Sequence, residues 1–289
     1  MWASAAETEG AKPQFQRGGV PGNLLNSRMP SSPPASITSV YRYPVKGLTP
    51  EQLTCATLTS GQTLTSDRRY AIEIGPSGFD PAEPKWLAKP HFLMLQRDEW
   101  LAPLRTHFDD ANTILTIRQD GAVAAEGDLE TAAGRTAIER FFASRYAGEI
   151  KGPPKILTCP GHSFSDVARK VVSIINLASV RAIEGMVDQP VHPLRFRANL
   201  YVEGWPAWHE FGLVDRTIAI GETRLKVVKR ITRCAAVNVD PDTGARDLSI
   251  PNTLMRRFGH NECGIYAEVI AGGTIGAGDS IAAEQPELL

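Results

Sequence analysis

No CxxC pair occurs anywhere in this sequence. Its four cysteines, Cys55, Cys159, Cys234 and Cys263, stand far apart, which excludes an obvious zinc knuckle or iron–sulfur run. A disulfide framework does not suit a chain of this size, so the thiols read as free, in a reducing compartment. No apolar run reaches the ~18 residues needed to span a bilayer. The longest, "KVVSIINLASVRAIEGM", is broken by charge and small polar groups. Neither sign of charge prevails: 31 Lys and Arg stand against 32 Asp and Glu, a net charge of −1. That excludes a global basic field for nucleic acid and an acidic, disordered chain. Neither a nucleic-acid partner nor a membrane is therefore expected. The six histidines form no HxH or HExxH, and there is no Gly-x-Ser-x-Gly elbow or P-loop. The glycines of "GETRLK" and "AGGTIGAG" are flanked by strand-like text with no helix after them, so a dinucleotide fingerprint is absent too.

What is present is ordinary globular material: 289 residues, 42% hydrophobic and 22% charged, enough for one large domain or two modest ones. Residues 1–35 are rich in Ala, Gly, Pro and Ser and lack the apolar core of a secretory signal. They read as a disordered extension, with Met29 a candidate natural start. From Ser36 the text alternates and is β-branched: "SITSVYRYPV", "LTCATLTSGQTLT", "RRYAIEIGPSGF". "PSG" at 76–78 predicts a hairpin turn, and Asp120-Gly121 predicts another within "TILTIRQDGAVAAEG". Residues 128–146 change to helical period, with Ala137, Ile138, Phe141 and Phe142 on one face. "KGPPK" (151–155) is the best internal boundary, dividing 36–150 from 151–289. Beyond it come a strand ("VVSIINL"), a helix ("ASVRAIEGMV"), the strands "RANLYVEG", "TIAIG" and "TRLKVVKRITRCAAV", and a short helix "PNTLMRRFG" opened by Pro251 and stopped by Gly259. "GIYAEVIAGGTIGAGDSIAA" closes with two strands around a Gly-Gly turn. The fold class is mostly β with some α, and many short strands at close turn spacing favour barrels over a doubly wound sheet.

Cys234 has unusual company in "KRITRCAAVNVDPDTGARD": Lys229, Arg230 and Arg233 precede it and an acidic turn follows. Free cysteine is commonly a small buried hydrophobe. Neighbouring cations instead favour a thiolate, a soft ligand for a transition metal. In a strand, Arg230 and Thr232 would share the cysteine's face. "VDPDTG" (239–244) reads as an Asp/Pro/Gly turn without calcium-loop spacing. Trp205, Trp208 and His209 are pocket candidates that read equally well as core aromatics and a capping histidine.

Taken in order, "SVYRYPVKG", "DRRYAI", "RFRANLYVEG", "ITRCAAVNVDPDTG" and "GTIGAGDSI" resemble MOSC proteins, the molybdenum cofactor sulfurase C-terminal domain family. The resemblance runs from about Ser36 to about Ala283, with a layout like that of the mitochondrial amidoxime-reducing component and its bacterial relatives. It implies a MOSC N-terminal β-barrel module packed with a MOSC β-barrel core, and a pyranopterin molybdenum cofactor. By matching position, Cys234 is the implied molybdenum ligand and catalytic residue, and Lys46, Arg68, Arg197, Asn199, Thr232 and Arg233 are implied cofactor-binding residues. Lysine and arginine suit the cofactor's phosphate, and asparagine both donates and accepts towards a pterin. Three departures stand out: Gly47 where the family often has Ser, Ala198 where it often has Pro, and Val237-Asn238 where reductase members commonly have Thr-Thr.

The resemblance implies a cytoplasmic, molybdenum-dependent oxidoreductase that reduces an N-hydroxylated small-molecule substrate. Its electrons would come from a separate donor protein, since nothing here builds a nicotinamide or iron–sulfur site. Pyridoxal phosphate binding is a further family-level expectation. Two alternatives are sulfur transfer through a Cys234 persulfide and a non-catalytic carrier of the cofactor.

Overall fold

A computed structural model describes residues 34–284, so the expected disordered extension lies, but for its last two residues, outside the described residues. The first half builds β1 (Ala35–Arg42), β2 (Glu51–Leu53), β3 (Cys55–Leu58), β4 (Tyr70–Ile74), β5 (Arg105–Asp109), β6 (Ile114–Gln119), β7 (Ala122–Asp128), α1 (Ala132–Arg145) and β8 (Pro154–Thr158). The second builds β9 (Val172–Asn176), α2 (Leu177–Val187), β10 (Leu200–Glu203), β11 (Thr217–Ile220), β12 (Thr223–Thr232), α3 (Ile250–Phe258), β13 (Glu262–Ala271), β14 (Gly273–Gly276) and β15 (Ser280–Ala283).

Strands β10, β9, β13, β12, β11, β15 and β1 are hydrogen-bonded in that order, and β1 pairs again with β10. Seven strands thus close into a barrel, which removes the unpaired edges an open sheet would expose. All neighbours are antiparallel except β9 and β10, the one parallel pair, whose crossover is α2. Along β12 the buried side chains Thr223, Leu225 and Val227 alternate with less buried ones, as a half-buried barrel strand requires. Ile37, Val40, Ile174, Leu200, Ile218, Leu225 and Ile265 meet inside.

A second core lies beneath α1, the β5–β6–β7 meander and the β4–β8 pair, around Tyr70, Ile72, Leu104, Phe108, Ile117, Ile138 and Phe142. The fold is mostly β, as the alternation predicts. The Asp120-Gly121 hairpin forms between β6 and β7, with φ of 52° and 82° at its two central residues, the left-handed pair that matches strand twist.

Three expectations are corrected. No hairpin forms at 76–78: β4 pairs instead with β8, from Tyr70↔Thr158 to Ile74↔Pro154. Pro76, Pro81 and Pro84 follow β4 and cannot donate to a ladder. Ala137 is exposed while Ile138 and Phe142 are buried, because one helical step turns a side chain about 100° from its neighbour. The closing segment makes three strands, since β14 leaves β13 to pair with β3. Among the described residues no helix is long and apolar enough to cross a membrane.

Candidate functional site

At the end of β12 the pairing with β13 slips between Arg230 and Thr232. The slip breaks strict alternation. Thr232 ends the strand, Arg233 and Cys234 leave it, and Cys234 opens a single 3₁₀ turn over Ala235–Asn238, its carbonyl accepting from the Val237 amide at 3.2 Å. These three residues wall a cleft of about 390 Å³ whose other walls come from 46–47, 67–68, 89–96, 165–173 and 195–199. That volume lies in the range of small-molecule sites, roughly 300–1,000 Å³.

All seven residues nominated from the sequence line this one cleft: Lys46, Arg68, Arg197, Asn199, Thr232, Arg233 and Cys234. Arg230 does not. It packs over the Phe211 ring at 4.5 Å and faces Glu262 at 3.4 Å, so the register slip overturns its expected place beside the thiol. Lys229, from the same run, does line the cleft. Trp205, Trp208 and His209 lie away from it. Trp205 joins the barrel core, Trp208 packs on Phe211 and Phe258, and His209 sits against Trp205.

The cations are held in different ways. Lys46, buried, donates from Nζ to the Phe164 carbonyl at 2.8 Å and to Asp166 Oδ1 at 2.5 Å. Burial pulls the Lys46 ammonium below its ordinary value, against the raising effect of Asp166. Burial works to raise the Asp166 carboxyl, but the Lys46 charge and hydrogen bond outweigh it and hold the group at about 2, so the carboxylate is charged at neutral pH. Arg68 Nη1 is forked on Asp67, at 2.7 and 2.5 Å, and its Nη2 donates to the Arg197 carbonyl at 3.0 Å. Arg197 donates to the Leu48 carbonyl at 2.8 Å and, among the described residues, makes no carboxylate pair. Burial and the neighbouring Arg68 lower it, with Tyr43 opposing. Arg233 donates to the carbonyls of Cys263 and Phe196, at 2.8 and 2.9 Å.

Asn199 spends most of its capacity on the fold. Its Oδ1 accepts from the Ser173 amide and hydroxyl, at 3.0 and 2.8 Å, and its Nδ2 donates to the Tyr41 carbonyl at 3.2 Å. One amide proton is left for a ligand. The turn after the thiol is stapled from beneath. Asp240 Oδ1 accepts from the Asp242 and Thr243 amides, and buried Arg195 bridges Asp240 at 3.0 Å and Asp247 at 2.7 Å. Gly244 there has φ 78°, and a Cβ would sit 2.9 Å from the Glu99 carbonyl. At Gly47 φ is 87° and a Cβ would meet the Leu93 carbonyl at 2.7 Å. The serine common at that family position therefore has no room here without a backbone shift.

Sequence reasoning missed Asp67, Asp166, Lys89, Gln96 and Tyr266, which also line the cleft. Asp67 opens the quoted "DRRYAI" run. Asp166 carries no local signal, because its partner Lys46 is 120 residues away.

These residues fit a pterin-bound metal in three respects. Among the described residues Arg197 is a cation without an acid. Arg233 Nη2 and Gln96 Oε1 are buried in the cleft wall without partners, a free donor and a free acceptor. Among the described residues no three His, Cys, Asp or Glu come together as a metal site, so a metal here would take Cys234 and draw its other donors from its own organic ligand.

Residues 34–152 match the family described as the MOSC N-terminal beta barrel domain, and residues 159–282 match the MOSC domain. A stretch of 79 residues is 35% identical to the molybdenum cofactor sulfurase of Caenorhabditis briggsae, covering 27% of this chain and 11% of that protein. Over 85 residues the chain is 28% identical to mitochondrial amidoxime-reducing component 1 of Mus musculus, covering 29% of this chain and 24% of that one. The chain thus spans less than a quarter of either relative's length. Among solved structures, the YUAD protein from Bacillus subtilis is similar at TM-score 0.43 and 12% identity, over 88% of this chain and 97% of that chain. Carrying both domains in this order over most of its length, the chain belongs to the MOSC-domain proteins.

Proposed function

We propose that this chain is a molybdenum-cofactor oxidoreductase that reduces N-hydroxylated compounds with electrons from a separate donor protein. The observation that carries the reading is convergence: Lys46, Arg68, Arg197 and Cys234, far apart in sequence, face one cleft. Scattered surface cations would have no reason to meet around a thiol. In this reading Lys46, Arg68 and Arg197 hold the cofactor's phosphate, Thr232 and Arg233 border the metal side, Asn199 offers its spare amide proton, and Cys234 Sγ is the protein's ligand to the metal. When bound, the group supplies two-electron redox chemistry. The substrate's N–O bond breaks, taking two electrons and two protons, and leaves N–H and water. Burial raises the Tyr266 phenol above its ordinary value, so at neutral pH it keeps its proton as an O–H donor within the cleft.

The likeness to a molybdenum cofactor sulfurase favours a second reading, sulfur transfer through a Cys234 persulfide. Metal analysis separates the two. The purified chain is expected to hold molybdenum, and Cys234→Ser to fold but lose both metal and activity. Turnover of an amidoxime is expected with reduced viologen and not with NADH alone. Full molybdenum in Cys234→Ser, or efficient NADH-driven turnover by the pure flavin-free chain, would overturn the reading. Full metal loading without turnover would leave a cofactor carrier.

A further inference from the structure

Tyr43 is fully buried, and both cleft arginines pack on its ring. The guanidinium carbon of Arg68 lies 4.3 Å from the ring centre and that of Arg197 lies 4.4 Å from it. Each arginine takes left-handed backbone, with φ 50°, a conformation that a residue with a side chain keeps only where its surroundings hold it. The surroundings here form a closed unit. Tyr43 N donates to Asp67 Oδ1 at 2.8 Å, and the same oxygen takes Arg68 Nη1 at 2.7 Å. Arg68 N donates to the Tyr43 carbonyl at 2.7 Å, and Arg68 Nη2 reaches the Arg197 carbonyl at 3.0 Å. Within the unit are two guanidiniums and one carboxylate, so one positive charge is left over at the cleft wall. The negative face of an aromatic ring offsets the repulsion between cations gathered on it. The Tyr43 hydroxyl, by contrast, faces the Tyr201 hydroxyl and bonds neither arginine. The ring does the holding.

We propose that Tyr43 is a positioning residue whose ring holds Arg68 and Arg197 together as a receptor for one phosphate group. The inference deepens the cofactor reading, because the phosphate in question would be the cofactor's. It is tested apart from that reading, with inorganic phosphate as the probe.

The experiment uses the full chain from a host unable to make the cofactor, titrated with inorganic phosphate by calorimetry. Tyr43→Phe keeps the ring and is expected to bind within about twofold of the parent, since the hydroxyl faces Tyr201 and not the arginines. Replacing Tyr43 by phenylalanines carrying successive ring fluorines keeps the shape but drains the ring face. Affinity is expected to fall stepwise, by about tenfold at full fluorination, with the melting temperature nearly constant. A packing role alone would not follow the fluorine count. Flat affinity across the fluorinated series would overturn the proposal. So would a loss in Tyr43→Phe as large as at full fluorination, or failure of the parent chain to bind phosphate at millimolar concentration. Molybdenum content of the chain from a competent host decides the wider reading separately. Graded phosphate affinity in a chain that never holds molybdenum keeps the receptor and removes the cofactor. Flat affinity in a fully loaded chain does the reverse.

Discussion

The two walls of the cleft treat their cations differently. On the wall built from residues 43–68, each cation has a carboxylate: Lys46 has Asp166 and Arg68 has Asp67. On the wall built from the barrel, Arg195 is answered by Asp240 and Asp247, but Arg197 and Arg233 rest on backbone carbonyls. The direction of the proton equilibria follows. Burial alone would lower Arg68, but Asp67 outweighs it and raises the group, whereas Arg197 is lowered by burial and by Arg68 itself. The first wall is neutralised from within and stands without a ligand. The second carries buried charge that only an incoming anion can answer. The first wall thus offers donors already fixed by their own carboxylates, and the second adds the charge that those carboxylates leave unanswered.

The largest effect should come from breaking a pair on the first wall. Arg68→Met leaves Asp67 buried without its cation, and removing one partner of a buried pair costs about 3–5 kcal/mol. Urea denaturation measures it, and a loss under about 1 kcal/mol would erase the contrast between the walls. Next comes the ground behind the second wall. Burial pushes the Cys263 thiol up to about 12 from an ordinary value near 9. Between those values the unfolded chain releases a proton that the folded chain keeps, so stability falls as pH rises. The slope is at most about 1.4 kcal/mol per pH unit, and Cys263→Ala should abolish it. Smaller still is the stability change in Arg197→Met. Losing the Leu48 bond opposes relief of an unpaired buried charge, so folding free energy should move by less than about 1 kcal/mol, while phosphate affinity falls steeply. The smallest effect concerns Asp166. Its folded value of about 2 lies below its ordinary 3.8. The stabilisation is therefore complete above pH 3.8 and lost as pH falls towards 2. Because the carboxylate is half exposed, it amounts to well under about 1 kcal/mol. Lys46→Met should shrink this acid-side window, because the Lys46 charge and hydrogen bond are the chief causes that lower Asp166.

Local chemistry was legible in the sequence and long-range pairing was not. Asp120-Gly121 announces its hairpin because the left-handed turn is a property of those two residues. Pro251 and Gly259 bracket α3 for similar reasons. The strand carrying Cys234 was expected to run through Val237 and ends at Thr232, because a register slip depends on the partner strand. That slip is why Arg230 was misplaced. The cleft's nominated residues were found through resemblance in ordered motifs, whereas their supports were not. Asp166, Asp67 and the Tyr43 ring act by contacts that only the closed fold brings about.

Strand β1 also has a consequence for synthesis. It pairs with β10 and β15, and the hydroxyl of Thr38 reaches the carbonyl of Tyr201, 163 residues away. During translation β1 emerges first and has neither neighbour until most of the chain has followed. A fragment beginning at residue 151 would hold six of the seven barrel strands, with β10 and β15 left as open edges. Such a fragment should self-associate through those edges, and adding a peptide of residues 34–43 should dissolve the aggregates by supplying the missing stave.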